Sequence, residues 1–222
     1  SKKKKLAVIT NFLEKNWEDI RVSTREDFKK SPKTAVTKAK FNAIGEKITD
    51  LPSDLNFFKK VQRLMGDRRK MLDEGTKLDW AMGELMAYAT LLDEGFNVRI
   101  SGQDVERGTF SHRHAVLKVE DSEQEYVPLK TTENKGSDFS IYNSSLSEYA
   151  VLGFEYGYAM AMPNTLPIWE AQFGDFFNGA QIIIDQFLSA AEDKWKVMNG
   201  LVLLLPHGYE GQGAEHSSAR ME

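Results

Sequence analysis

The chain has no cysteine among its 222 residues. Disulfides, thiolate metal ligands and thiol nucleophiles are therefore excluded. No apolar run approaches the roughly 18 to 20 residues that cross a bilayer. The beginning lacks a signal peptide's apolar core, since the lysine run at 2–5 leads only into Leu6-Ala7-Val8-Ile9. No Gly-x-Ser-x-Gly elbow offers a serine nucleophile, and neither a Walker lysine loop nor a dinucleotide glycine fingerprint occurs. An excess of positive charge is also missing. The net charge of −4 and pI near 5.7 give no general reason to expect nucleic acid as a partner. Histidine is scarce, four in all, and each lies beyond residue 110. The expectation is a soluble intracellular protein.

What is present suffices for a core. Hydrophobic residues make up 41% of the chain, most simply one domain with an appendage. The chain opens on lysines without methionine and stops at Arg220-Met221-Glu222, where helical composition is just beginning, so excision from a longer chain is expected. Residues 1–50 are lysine-rich and weakly apolar, with anchors at Phe12, Trp17, Phe28 and Phe41. They read as a solvated linker or a helical extension packed on a neighbouring domain, with an anion-binding arm as the alternative. Residues 51–222 read as the domain proper, truncated at its C-terminal end.

From Pro52 the spacing of Leu55, Phe58, Val61, Leu64 and Met65 predicts a helix capped by Ser53 and ending near Gly75. A second helix is predicted over 78–94, stopped by Gly95. Residues 97–101 read as a buried strand, and 114–119 and 125–129 as short strands around a polar turn. Strands at 139–142, 166–169 and 201–205 then alternate with helices at 147–160 and 175–191. This order predicts an α/β fold, a parallel sheet covered by helices on both faces. Gln103-Asp104, the turn from Ser144 to Glu148, Gln172-Phe173 and His207 each follow a strand end. Open parallel sheets bind ligands outside the carboxyl ends of their strands, so one rim is expected to carry the site.

Glu148 opens the helix at 147–160. An ordinary first-turn acid gains about 0.3–1 kcal/mol from the helix dipole. The stretch that follows, with Ala150, Val151, Leu152, Gly153, Phe154 and Tyr156, is nearly all small or apolar. A helix apolar on most faces is buried, which predicts a poorly solvated crevice where the Glu148 pKa would rise toward sharing a proton with a ring nitrogen. Phe173 and Phe176, three apart at a helix start, project to one side; aromatics at that spacing are ordinarily core residues. With Glu148 they could instead hold a flat heteroaromatic ring with one carboxylate at its edge. Activation of the aminopyrimidine of thiamine diphosphate has that requirement. Met160 and Met162 read as core fillers.

Two further groups stand out. The loop from Pro206 to Ser218 holds Gly208, Gly211 and Gly213 and could approach a ligand closely, although it is weak as a phosphate loop. His207, Glu210, Glu215 and His216 within it fit no zinc signature, and no metal ligand is assigned. His112-Arg113-His114 is a compact basic group suited to an anionic substrate or a carboxylate partner. As a strand it would put both histidines on one face and Arg113 on the other.

Ser101-Gly-Gln-Asp104, Arg107-Gly-Thr-Phe110, His112-Arg-His-Ala115 and Leu146-Ser-Glu148 occur in order, followed by Phe154-Glu-Tyr-Gly-Tyr158 and Trp169-Glu-Ala-Gln-Phe-Gly-Asp175. Asn178-Gly-Ala-Gln181 and the stretch from Leu205-Pro-His-Gly208 to Arg220 complete the series. From about residue 40 to its end the chain resembles the thiamine diphosphate-dependent dehydrogenase component of the 2-oxoglutarate dehydrogenase complex, in its transketolase-like pyrimidine-binding domain. The resemblance implies that Glu148 hydrogen-bonds N1′ of the aminopyrimidine and promotes its imino tautomer. It implies that Leu146 wedges beneath the bent cofactor and that Phe173 and Phe176 wall the pyrimidine pocket. His216 falls in the substrate site, too far along the chain to belong to the pocket of Glu148 and Phe173. Gln103 falls near the covalent intermediate, and His112 and His114 at the rim, with His114 on the substrate side.

The same resemblance implies 2-oxoglutarate as substrate, a lipoyl-bearing succinyltransferase subunit as partner, and a homodimer paired through the thiamine site. The cytoplasm, or the mitochondrial matrix in a eukaryote, is the implied location. One departure matters. Relatives hold Mg²⁺ and diphosphate with Gly-Asp-Gly followed downstream by Asn, whereas Gly66-Asp67-Arg68 and Gly174-Asp175-Phe176 fit neither part. Mg²⁺ is therefore expected on a partner domain absent from this chain. A decarboxylase or carboligase of the same family and a non-catalytic interaction module on this fold are the alternatives.

Overall fold

A computed structural model describes residues 13–21, 23–207, 213 and 216–220. Four helices build the frame. Helix α1 (Lys38–Thr49) begins where the Thr37 hydroxyl accepts from the Lys40 amide, and α2 (Lys59–Glu74) ends at Gly75 in the left-handed region. Helix α3 (Trp80–Glu94) is capped by Asp79, which accepts from the Met82 amide at 2.7 Å, and is stopped by Gly95. These are the start and stop devices that satisfy orphan backbone groups. The fourth, α4 (Glu148–Ala161), lies across the sheet from α3.

Strand β1 (Asn97–Gly102) follows α3 directly. A two-residue pair, β2 (Leu117–Lys118) and β3 (Glu125–Tyr126), forms an antiparallel excursion. Strands β4 (Phe139–Asn143), β5 (Thr165–Glu170) and β6 (Val202–Leu204) complete a parallel sheet in the order β4-β1-β5-β6. Alternation along the strands divides the core. Val98, Ile100 and Ile168 pack toward α1 and α3 with Met82, Leu85 and Leu92. Trp169 and Leu203 pack on the other face with Val151, Leu152 and Phe177. The parallel sheet therefore has helices on both faces, as its strand–helix alternation predicts.

Three expectations need correction. The helix predicted from Ser53 starts only at Lys59, because the preceding residues pair with the excursion: Phe57 bridges Val119, and the Asn56 carbonyl accepts from the Glu120 amide at 2.8 Å. Tertiary pairing overrides the local cap there. The predicted helix over 175–191 is broken into α5 (Gly174–Gly179), α6 (Gln181–Ile183), a π-helical turn (Ile184–Leu188) and α7 (Ala191–Trp195). Asn178-Gly179 are poor helix formers, and Ala180 leaves helical geometry while fully buried. The short strands predicted at 114–119 and 125–129 shrink to β2 and β3, with Pro128 opening a 3₁₀ turn (Pro128–Thr132).

Before residue 50, Ile44 and Ile48 of α1 lie in the same core as α3. Trp17 donates from its indole to the Met160 carbonyl at 2.7 Å, and Phe28 is exposed. Phe12 and the lysine run lie outside the described residues. Among the described residues no helix is long and apolar enough to cross a membrane.

Gly102 is the tightest point of the sheet. A Cβ there would overlap the Glu170 carbonyl oxygen and crowd Val105. Gly102→Ala is expected to cost about 3 kcal/mol through overpacking of the β1–β5 seam, read as a lower urea midpoint with an unchanged denaturant slope.

Candidate cofactor site at the strand ends

The parallel register sets the site's frame. Gly102 pairs with both Asn143 and Glu170, and Glu170 with Leu204, so four strand ends form one line. Strand β1 lies between β4 and β5. Gln103, which follows β1 and is half-buried, thus emerges between the chain leading to Glu148 and the chain leading to Phe173. The β1–β4 connection packs on the α3 face through Leu129, while α4 packs on the opposite face. Connections that leave to opposite faces open a crevice at the carboxyl ends of the strands.

Glu148 is the first residue of α4 and half-buried. Leu146 is exposed in the turn before it, its amide donating to the Ser144 hydroxyl at 3.2 Å. The expectation of a buried α4 holds in part: Val151, Leu152, Tyr156 and Ala159 are buried, while Tyr149 and Phe154 face outward. The deeply buried carboxylate of this helix is Glu155, which is 0% exposed and receives the Arg99 guanidinium at 2.8 Å. Arg99 in turn lies over the rings of Tyr142 and Tyr158, each 4.8 Å from the centroid. Such cation–π contacts add to the ion pair. Sequence reading missed this pair, although an arginine between Val98 and Ile100 and a glutamate inside an apolar helix were its visible signal.

On the next strand end, Phe173 occupies the N-cap position of α5 in extended conformation and Phe176 follows within the first turn. Their ring centroids are 5.6 Å apart, and both are half-buried. The core aromatic of α5 is Phe177, packed on Trp169 at 6.3 Å. Phe173 and Phe176 are thus free of the core role that their spacing ordinarily signals.

His216 meets this pair. Its ring stands edge-on to Phe173 with centroids 4.6 Å apart, which overturns the expectation that chain distance keeps it from the pocket. Residues 216–220 fold back over α5. Ser217 donates from its hydroxyl to Asp175, the Arg220 amide donates to Asn178 at 3.3 Å, and the Ala219 amide donates to the Pro206 carbonyl at 3.0 Å. Gly174 permits this return, since a Cβ there would overlap the Ser217 backbone. The Gly213 amide donates to Nδ1 of His216 at 2.9 Å, so the neutral ring carries its proton on Nε2. His207 is exposed beyond β6. Glu210 and Glu215 lie outside the described residues.

The β1–β2 loop differs from the strand predicted at 112–114. His114 sits in the left-handed region at φ 44°, and Arg113 is fully buried. The Arg113 side chain turns inward to Glu170 and Glu84, which is the carboxylate partnership its position suggested and the reason no strand forms. Burial, then nearby Arg113, holds the His112 pKa below its ordinary value, and Nδ1 of His112 is buried with no hydrogen-bond partner. Burial, then Arg68, likewise lowers His114, whose Nε2 lies 3.1 Å from the Ser111 hydroxyl. His114 lines a small internal cavity with Arg68 and Leu85. The molecule thus groups Phe173, Phe176 and His216, sets Glu148, Leu146 and Gln103 along the same line of strand ends, and turns His114 inward. An apolar cavity of about 670 Å³ lies elsewhere, along Gly157 and Met160 of α4 and Phe187.

Comparison with known proteins bears on what this rim serves. Residues 76–222 match the transketolase pyrimidine-binding domain family. The chain is 48% identical over 212 residues to the 2-oxoglutarate dehydrogenase E1 component of Brucella anthropi, covering 96% of this chain and 21% of that protein. The proteins of the same name from Brucella ovis and Brucella canis are each 47% identical over the same shares. The chain spans about a fifth of the length of these relatives.

Two outcomes are expected from the geometry. Histidines 112 and 114 have folded-state pKa values below the ordinary 6.5. Their stabilisation is therefore full above that value and is lost as pH falls through the lowered folded values. Urea midpoints measured downward from pH 7 should decline, and less steeply in His112→Gln. Separately, Gly174→Ala should detach residues 216–220 from α5. Amide exchange at Ala219 and Arg220 should then quicken, while amides of β1 and β5 keep their protection.

Proposed function

From a chain that belongs to the transketolase pyrimidine-binding domain family, we propose a role as the pyrimidine half of a thiamine diphosphate site in a succinyl-transferring 2-oxoglutarate dehydrogenase. The observation that carries this reading is the meeting of Phe173, Phe176 and His216 on the strand-end line that also bears Glu148. The donor set suits an aminopyrimidine. Two half-buried rings offer faces to a flat heterocycle, and a half-buried carboxylate in a first turn can hold a proton at N1′.

Among the described residues the diphosphate and Mg²⁺ find no such match. Gly66 and Asp67 lie inside α2, and Asp175 is engaged by Ser217. A partner domain outside this chain is proposed to hold them, and a second copy to complete the site, which accords with the apolar surface of Leu146, Tyr149 and Phe154.

Thiamine diphosphate, when bound, supplies the carbon nucleophile that attacks the oxo group of 2-oxoglutarate. The residues of this chain prepare that attack. Glu148 would hold a proton at N1′, Phe173 and Phe176 would pack on the ring and exclude water, and Leu146 would contact the cofactor. His216 would help hold or protonate the oxo acid, and Gln103 would flank it on the loop after β1. His114, whose ring is engaged with Ser111, enters the proposal through the loop that carries it. A lipoyl-bearing succinyltransferase is the proposed acceptor, in the cytoplasm or the mitochondrial matrix.

Glu148→Gln in the complete protein tests the reading. Glutamine keeps the shape but cannot hold the N1′ proton, so turnover should fall by several orders of magnitude with the circular dichroism spectrum unchanged. Retention of more than about a tenth of the activity, equivalent to about 1.4 kcal/mol of barrier, would remove Glu148 from the role.

A further inference from the structure

We infer that Arg113 is a positioning residue for the substrate side of this site, fixing the β1–β2 loop against the end of β5. The inference deepens the proposed function and rests on it. Arg113 is 0% exposed. Its Nη1 and Nη2 grip both oxygens of Glu170, the last residue of β5, while Nε donates to Glu84 of α3 at 2.5 Å. Nη1 also donates to the Val105 carbonyl at 2.8 Å, within the loop itself. The backbone of the same residue is held as well, where Arg68 of α2 donates to the carbonyls of His112 and Arg113. Three separate elements, α2, α3 and β5, thus converge on two consecutive loop residues, His112 and Arg113.

The loop needs such holding. Asp104, Ser111 and His114 all adopt positive φ without being glycine, which costs free energy that the surroundings must offset. Stability alone is a poor explanation for the device, because a buried ion cluster is often matched or exceeded by apolar packing. What a two-pronged guanidinium–carboxylate pair supplies is fixed geometry. Glu170 stands three residues before Phe173, and Val105 two residues after Gln103. The pair therefore sets the substrate-side loop relative to the aromatic wall. Arg113 is consumed internally by these bonds and so acts through Gln103 rather than on the oxo acid.

The test uses the complete protein carrying Arg113→Met, Glu170→Gln, both together, or Arg113→Lys, with Glu148→Gln as a reference. KM for 2-oxoglutarate, kcat, and Kd for thiamine diphosphate are measured on each. Arg113→Met and Glu170→Gln should raise KM by about tenfold or more, with cofactor Kd within about twofold of the parent. The double variant should be no worse than the poorer single one, since both remove the same bond. Arg113→Lys, which keeps the charge without the fork, should recover only part of the loss. Should Arg113→Met fail to fold, Glu170→Gln, of equal shape, decides alone. An unchanged KM overturns the inference, and so does a parallel loss of cofactor affinity. Failure of the underlying reading is visible separately: an active Glu148→Gln enzyme removes the proposed function, whereas an inert one beside a normal KM in Glu170→Gln removes only the positioning role.

Discussion

A guanidinium without exposed surface must find its acceptors inside the protein, and Arg113 finds them on β5, on α3 and in its own loop. That requirement organises the upper half of the molecule. Glu170 can reach Arg113 only because β5 ends in register with Gly102, and Gly102 must lack a side chain for the strands to come so close. The loop after β1 is then drawn inward, and the polypeptide at 112–114 gives up strand geometry to satisfy the buried charge.

A second buried pair does similar work on the opposite face. Arg99 and Glu155 join β1 to α4 beneath three aromatic rings. Both pairs put a charge inside an otherwise apolar element, and each ties the central strand region to a different covering helix. Together they orient α3 and α4 on either side of the same strand ends. Charges in such surroundings attract strongly and tolerate little misplacement, so the rim inherits a rigid base.

The most legible parts of the chain were those decided locally. Gly95 ends α3 because glycine takes the left-handed turn without strain, and apolar runs in β1 and β5 mark strands buried on both faces. The start of α2 was misread because Ser53 is a good cap locally, while Phe57 and Asn56 gain more by pairing with the excursion. The broken helix after Gly174 was misread for a related reason. Its apolar spacing suited one continuous helix, but Asn178 and Gly179 weaken it where Ala180 must enter the core.

The α/β class, the parallel sheet and the rim that carries the candidate residues were determined by the sequence itself, because hydrophobic period and turn chemistry act over a few residues. Glu148, Phe173 and Phe176 could be singled out on the same basis. Only the tertiary structure decided that Glu155 is the deeply buried acid of α4, that Arg113 turns inward, and that His216 stands against Phe173. Each of these depends on which distant residue arrives beside it. Pairing energies between groups so far apart along the chain leave no periodic trace in it, so the fold alone selects among the carboxylates, rings and turns that could have met.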